Sequence, residues 1–271
     1  MRQHWQERGA KEVLAGAKET ETPALAMLER RGFGEVMRFF DNVLRLENFD
    51  AAQWQPQMEL PEGVRALTLA DLQTQLGEEA AWCAYYACQT EARVDVPRTA
   101  PPSEVTLEDF RNYRSKATFD PAGVWLAVTD AGEVVALSEL WRDSADPQRL
   151  NIGLTGTRRA WRRRGLGLAL KLRGMVQAQQ QGIREIWTNN ASNNVPMLSL
   201  NERLGFVRQP AHVRAHRIVA QHQRIRLGAM QQAQRDAGIG RVENSALPFD
   251  HIPMPGRRFR RQGFRCAGNE I

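Results

Sequence analysis

A chain of 271 residues has room for one large domain or two small ones, and 42% hydrophobic with 25% charged residues is the composition of a soluble globular protein. No run of about eighteen apolar residues occurs and the first residues lack an apolar signal core, so neither a transmembrane helix nor a secretory leader is expected. The net charge of +6 is unevenly placed: residues 211–271 hold eleven arginines, no lysine and four acids, which leaves the other 210 residues at −1.

The N-terminal segment is a repeat of a later one. Shifted by 173 positions, residues 9–33 lie on 182–206 without a gap. Eight of the 25 positions are identical: Gly9/Gly182, Glu12/Glu185, Pro23/Pro196, Leu25/Leu198, Glu29/Glu202, Arg30/Arg203, Gly32/Gly205 and Phe33/Phe206. Both copies read as strand, helix, strand. Residues 50–61 are polar and proline-bearing and read as a linker. A strand over 64–67 follows, then Thr68-Leu69-Ala70-Asp71 as a capping-box helix start. A helix from 78 to about 92 carries Trp82, Tyr85 and Tyr86, and its Cys83 and Cys88 read as small buried hydrophobes. With Cys266 they form neither a disulfide framework nor a metal pattern, so no metal is expected and a reducing cytoplasm fits.

Residues 94–102 read as loop, and Thr106-Leu107-Glu108-Asp109 caps another short helix. Segments at 124–128 and 134–140 flank the turn 129–133, predicting a hairpin, and 150–157 supplies the third strand of that meander. Arg162-x-x-Gly165-x-Gly167 comes next, ahead of a helical stretch over 168–181. Strand, glycine-bearing turn and helix start leave backbone N–H groups uncovered at the positive end of a helix, and Arg162, Arg163 and Arg164 add charge. Such a place can hold a diphosphate. A dinucleotide fingerprint fits poorly, because Leu170 stands where its third small residue belongs and the arginine run replaces its buried strand. Beyond Gly182, a strand over 183–188 leads to Asn189, Asn190, Asn193, Asn194 and Pro196, a turn and helix cap. A helix over 197–204 puts Leu200 and Leu204 on one face, and Gly205 stops it before the strand at Phe206. From about 220 onward no apolar stripe is sustained. The basic tail 219–271 reads as poorly ordered, and with only Phe259 and Phe264 to stack on bases, nucleic acid is not an expected partner.

Two segments together, Arg162-x-x-Gly165-x-Gly167 and Asn194-x-x-Met197-x-x-x-Asn201-Glu202-Arg203-Leu204-Gly205-Phe206, resemble the GNAT acyltransferase superfamily. The resemblance covers roughly 62–218. It implies an α/β fold, a mixed central sheet flanked by helices, with acetyl-CoA as acyl donor. By that resemblance the backbone amides of Arg162, Arg163, Arg164, Gly165, Leu166, Gly167 and Leu168 hold the pyrophosphate. Thr155 and Thr157 pair with the pantetheine arm, and Asn194 lies near the thiol. The expected reaction is acetyl transfer to a primary amine of a small molecule. Many family members carry a tyrosine where this chain has Asn201, and asparagine cannot give up a proton in its place. A catalytically silent acyl-CoA-binding module is therefore the alternative. For a general base, Glu139 is the first choice, since it shares its strand face with Leu137 and Trp141; a structural salt bridge is the competing role. Tyr85 and Tyr86 are weaker candidates for an acceptor pocket, and His212 and His216 weaker still.

The repeat makes residues 1–49 the back half of a preceding GNAT unit, as in tandem proteins similar to mycothiol synthase. In that half-unit Glu21 stands at the position of Asn194 and Leu28 at that of Asn201, so it lacks the cofactor residues. An orphan half-unit must pack on the second unit, pair with another chain (a homodimer is one outcome) or stay loose.

Overall fold

The computed structural model describes residue 10 and residues 12–99, 103–218 and 239–240. The readings made for the tail lie, apart from 239–240, outside the described residues. Contacts divide the chain into two compact units.

The first unit is built from residues up to Asp41, the stretch Asn190–Val195 and the segment from Arg208. Strand β1 (Glu12–Lys18) turns into helix α1 (Thr22–Arg30), which starts at a proline and ends before Gly32 in the left-handed region at φ 78°. Strand β2 (Gly34–Arg45) then begins, and the two-residue strand β8 (Val207–Arg208) pairs with it. Strand β9 (His212–Ile218) lies antiparallel to both, with Glu12 opposite Ile218 and Gly34 opposite His216. The sequence reading puts these residues at the end of the main domain. Here they fill the gap between β1 and β2, whose joining helix leaves room for one strand. A two-residue strand β10 (Ile239–Gly240) runs parallel to β1. Val13, Leu28, Phe39, Ala191, Ala211, Val213 and Ala215 are among the buried apolar side chains that hold this unit.

The second unit contains the rest of β2, residues 42–45, and the meander β3 (Val64–Thr68), β4 (Val124–Thr129), β5 (Val134–Arg142) and β6 (Arg149–Thr157). Strand β7 (Glu185–Ala191) adds to β6 in parallel, giving a mixed sheet. Helices α2 (Leu69–Leu76), α3 (Glu78–Arg93) and α4 (Leu107–Arg114) precede the hairpin; α5 (Leu166–Gln180) and α6 (Val195–Arg203) come later. Thr68 and Thr106 each close a capping box with an aspartate three residues on, as their sequences require.

Strand β5 is buried on both faces from Val134 to Trp141, which explains its apolar residues Val134 to Leu137 on consecutive positions. On one face Leu126, Val128 and Leu137 meet Trp82, Tyr85 and Cys88 of α3. On the other, Ala127, Val135 and Ala136 meet Leu166 and Leu170 of α5. Burial pushes the Cys88 thiol up to about 12, so it serves as a core filler. Residues 50–61, read as a linker, hold a 3-10 helix (Ala52–Met58) whose Met58 is buried with Leu46, Phe49 and Met175. The apolar residues that anchor it are spaced too widely for a periodic signal.

Candidate functional site

Strands β6 and β7 pair only at Arg149↔Glu185, Leu150↔Ile186 and Asn151↔Trp187. Beyond that point, among the described residues, the parallel pairing ends while β6 continues to Thr157. One edge of residues 152–157 is thus left open toward the start of α5. The opposite edge stays on β5, where the register shifts by one residue around Glu139.

The turn from β6 to α5 has Arg163 at φ 64° and Gly165 at φ 76°. Gly165 is the helix N-cap and has no side chain to offer, and no side-chain cap bond is made there among the described residues. The amides of Leu166, Gly167 and Leu168 therefore point out of the positive helix end uncapped by any side chain. Gly167 lets this end approach β6: a Cβ there would lie 3.3 Å from Thr157 Oγ1 and 3.6 Å from Thr155 Cγ2. Thr155 Oγ1 is 2.9 Å from Ser138 Oγ.

The arginines are not all at the turn's free face. Arg158 bonds Glu91 of α3 at 3.0 Å, and the Arg159 amide bonds the same carboxylate at 2.8 Å. Arg162 donates to Asp95 at 2.5 Å and to the Thr157 carbonyl at 3.2 Å. Arg159 and Arg162 together hold the Asp95 carboxyl below the usual range through hydrogen bonds. Arg163 and Arg164 are exposed, and the Arg164 guanidinium lies 4.6 Å from the Trp161 ring centroid. The turn is braced from behind by acids and presents two arginines outward.

Glu139, the expected general base, has a different place. It is 1% exposed, and four donors already use its oxygens. Arg114 Nη2 donates at 2.9 Å, Leu154 N–H at 3.1 Å and Trp141 Nε1 at 3.2 Å, and the Tyr85 hydroxyl donates as well. Arg114 Nε also bonds the Tyr85 hydroxyl at 2.9 Å, and its guanidinium lies 3.6 Å from the Phe110 ring centroid. Burial, with Glu139 beside it, drives the Tyr85 phenol well above its ordinary value, against the pull of Arg114. The carboxylate thus anchors α3, α4 and the bulged edge of β6, the structural alternative for this residue, with no oxygen free to take a substrate proton. Tyr86 likewise bonds the Val105 carbonyl at 2.6 Å.

A charged residue that sequence reasoning missed is buried between α5 and α6. Lys171 of α5 is 2% exposed and Asn201 of α6 is fully buried. Lys171 Nζ donates to Asn201 Oδ1 and sits 4.9 Å from the Phe206 ring centroid. Burial lowers the lysine pKa to about 7. The available signal was a lone lysine inside Leu170-Lys171-Leu172, one helical turn after Gly167. Asn194 belongs to the first unit, half-buried, with its N–H on the Ala191 carbonyl at 2.9 Å. His212 faces Asp41 at 3.4 Å and His216 faces Glu12, both within the first unit's sheet. Among the described residues no group of three or more His, Cys, Asp or Glu side chains could hold a metal ion, and no helix is long and apolar enough to cross a membrane.

Residues 80–206 match the acetyltransferase (GNAT) family. Mycothiol acetyltransferase of Thermobispora bispora is 32% identical over 157 residues, 56% of this chain and 50% of that protein. The protein of the same name from Renibacterium salmoninarum is 27% identical over 207 residues, 75% of this chain and 57% of that one. The chain thus spans about half the length of the curated relatives it matches. Among solved structures, a GCN5-related N-acetyltransferase from Sphaerobacter thermophilus superimposes with a TM-score of 0.61 at 24% identity, covering 82% of this chain and 67% of that one. A tandem GNAT protein from the clavulanic acid biosynthesis pathway gives 0.60 at 18%, covering 82% and 68%. The parted strands, the uncapped glycine turn and these similarities agree, and the chain contains a GNAT acetyltransferase domain.

Proposed function

We propose that this chain is an N-acetyltransferase that moves an acetyl group from acetyl-CoA to a primary amine of a small molecule. The observation that carries the reading is the uncapped start of α5 set against the open edge of β6. Acetyl-CoA supplies an activated thioester carbonyl. The amides of Arg162, Arg163, Arg164, Gly165, Leu166, Gly167 and Leu168 receive its pyrophosphate, with the exposed Arg163 and Arg164 adding charge. Backbone groups at Thr155 and Thr157 orient the pantetheine arm, and Asn194 remains a proposed contact near the thiol. Held in this way, the carbonyl reacts with an amine that arrives neutral, and backbone N–H groups of the open strand stabilise the oxygen on which charge develops.

The acceptor is an amine on a small molecule, and the relatives named mycothiol acetyltransferases place mycothiol-type compounds in the first panel to try. Calorimetry with CoA tests the donor site. Release of free thiol from acetyl-CoA in the presence of each amine tests the reaction. Absence of CoA binding overturns the donor assignment. The second reading, a silent acyl-CoA-binding module, is favoured by Asn201 at the family's tyrosine position; CoA binding with no thiol release across the panel selects it.

A further inference from the structure

Lys171 is a buried cation among the described residues whose surroundings give it no carboxylate. Its ammonium meets Asn201 Oδ1 and the Phe206 ring. The elements packed around α5 hold their charges elsewhere. Strand β4 and the 3-10 helix Ala52–Met58 carry no ionisable side chain. Glu139 and Arg142 of β5 pair with Arg114 and Asp120. Arg149 of β6 pairs with Asp143, and Glu185 of β7 faces Arg45. Glu47, and on α6 Glu202 and Arg203, are exposed. A lone ammonium in such a place costs stability, which a structural role could avoid with any apolar side chain.

Its position is specific. Lys171 follows Gly167 by four residues, so it lies on the same helix face, about 6 Å further along. A Cβ at Gly167 would lie 3.3 Å from Thr157 Oγ1 and 3.6 Å from Thr155 Cγ2, which sets this glycine beside the end of β6. Helix α5 returns antiparallel to that strand in the β6–α5–β7 crossover, and 6 Å corresponds to roughly two strand residues. Lys171 is therefore level with residues 153–155, just past the point where β6 leaves β7.

We infer that Lys171, oriented by Asn201, is the proton reservoir for the sulfur that leaves at the open edge of β6. The inference rests on the acetyl-transfer reading above. As the amine nitrogen forms its bond to the carbonyl carbon and the C–S bond breaks, the sulfur keeps the bonding pair and takes a proton from Lys171 Nζ. The proton shed by the amine nitrogen returns to the neutral lysine through solvent, so the cycle closes without another reactant. A lysine that titrates near 7 can exchange a proton at neutral pH.

Three measurements on the full chain test this, with Lys171→Met and Lys171→Arg as variants. The first is the ionisation of CoA thiol bound to the protein, followed by thiolate ultraviolet absorbance. In the wild type it falls below the ordinary thiol value of about 8.5; in Lys171→Met it returns there, while Lys171→Arg keeps it low. The second is turnover: both variants lose about 100-fold or more in kcat, because the arginine keeps its proton at all working pH values, while CoA affinity by calorimetry stays within a few-fold. The third is the Nζ titration of Lys171 by NMR, assigned among the four lysines of the chain by its loss in Lys171→Met. It falls near 7. Wild-type kcat in folded Lys171→Arg, a bound thiol that stays as low in Lys171→Met as in the wild type, or an ordinary lysine titration overturns the inference and leaves CoA binding standing. If CoA fails to bind the wild type, the functional reading falls and the inference falls with it.

Discussion

Replacing Arg114 by leucine tests whether Glu139 is a structural carboxylate. The Arg114 and Glu139 side chains are 5% and 1% exposed, and their 2.9 Å bond is the only full charge pairing that Glu139 makes among the described residues. Leucine removes that charge and also the bond to the Tyr85 hydroxyl. The Tyr85, Trp141 and Leu154 donors remain, but none carries a positive charge. Breaking one side of such a pair costs about 3–5 kcal/mol. For a chain of this size that is a fall in melting temperature of roughly 10 °C. The double variant Arg114→Leu/Glu139→Leu, with no buried charge left over, recovers part of the loss. Urea midpoints for the four proteins give the coupling. A coupling below about 0.5 kcal/mol, the level of independent sites, refutes the reasoning.

The same carboxylate makes a kinetic prediction: Glu139→Gln lowers kcat less than tenfold, whereas removal of a working general base costs about 100-fold or more. Gly153→Ala loses about 1–3 kcal/mol in denaturant titrations, since its new Cβ would fall 2.3 Å from Glu139 Oε2 and 2.7 Å from Trp141 Nε1. Gly167→Val pushes α5 away from Thr157 and weakens CoA binding in calorimetry about tenfold or more, with only a small change in thermal melting. Lys171 sets a pH dependence. Its folded pKa of about 7 lies below the ordinary lysine value of 10.5, so between them the unfolded chain binds more protons and stability rises with pH. Urea midpoints taken across that window climb for the wild type and climb less steeply for Lys171→Met.

The fold of the second unit was legible where the sequence punctuates itself. Gly165 and Gly167, the threonine–aspartate boxes at Thr68 and Thr106, and the run from Asn194 to Gly205 each mark a boundary by local chemistry. The hairpin of β4 and β5 was equally plain. What stayed hidden depends on residues distant in sequence. Nothing around Glu139 announces Arg114, 25 residues earlier, because an ion pair leaves no periodic trace. Lys171 reads as one polar residue in a good helix, and only the packing of α6 reveals that it is buried. Residues 50–61 look like a linker because Leu46, Phe49 and Met58, which anchor them, do not alternate. The placement of β9 follows from which strand edges remain unfilled, a property of the assembled sheet.

That last placement bears on how the chain is made. Residues 12–18 leave the ribosome some two hundred residues ahead of their sheet neighbour, 212–218. At usual synthesis rates the wait is roughly 10–40 s. Throughout it β1 and the start of β2 carry open edges next to Met27 and Val36, side chains that are exposed even in the finished fold. The glycine turn and α5 are synthesised and packed while these strands wait. A truncation before residue 212 therefore leaves β1 and the start of β2 without the strand that lies between them.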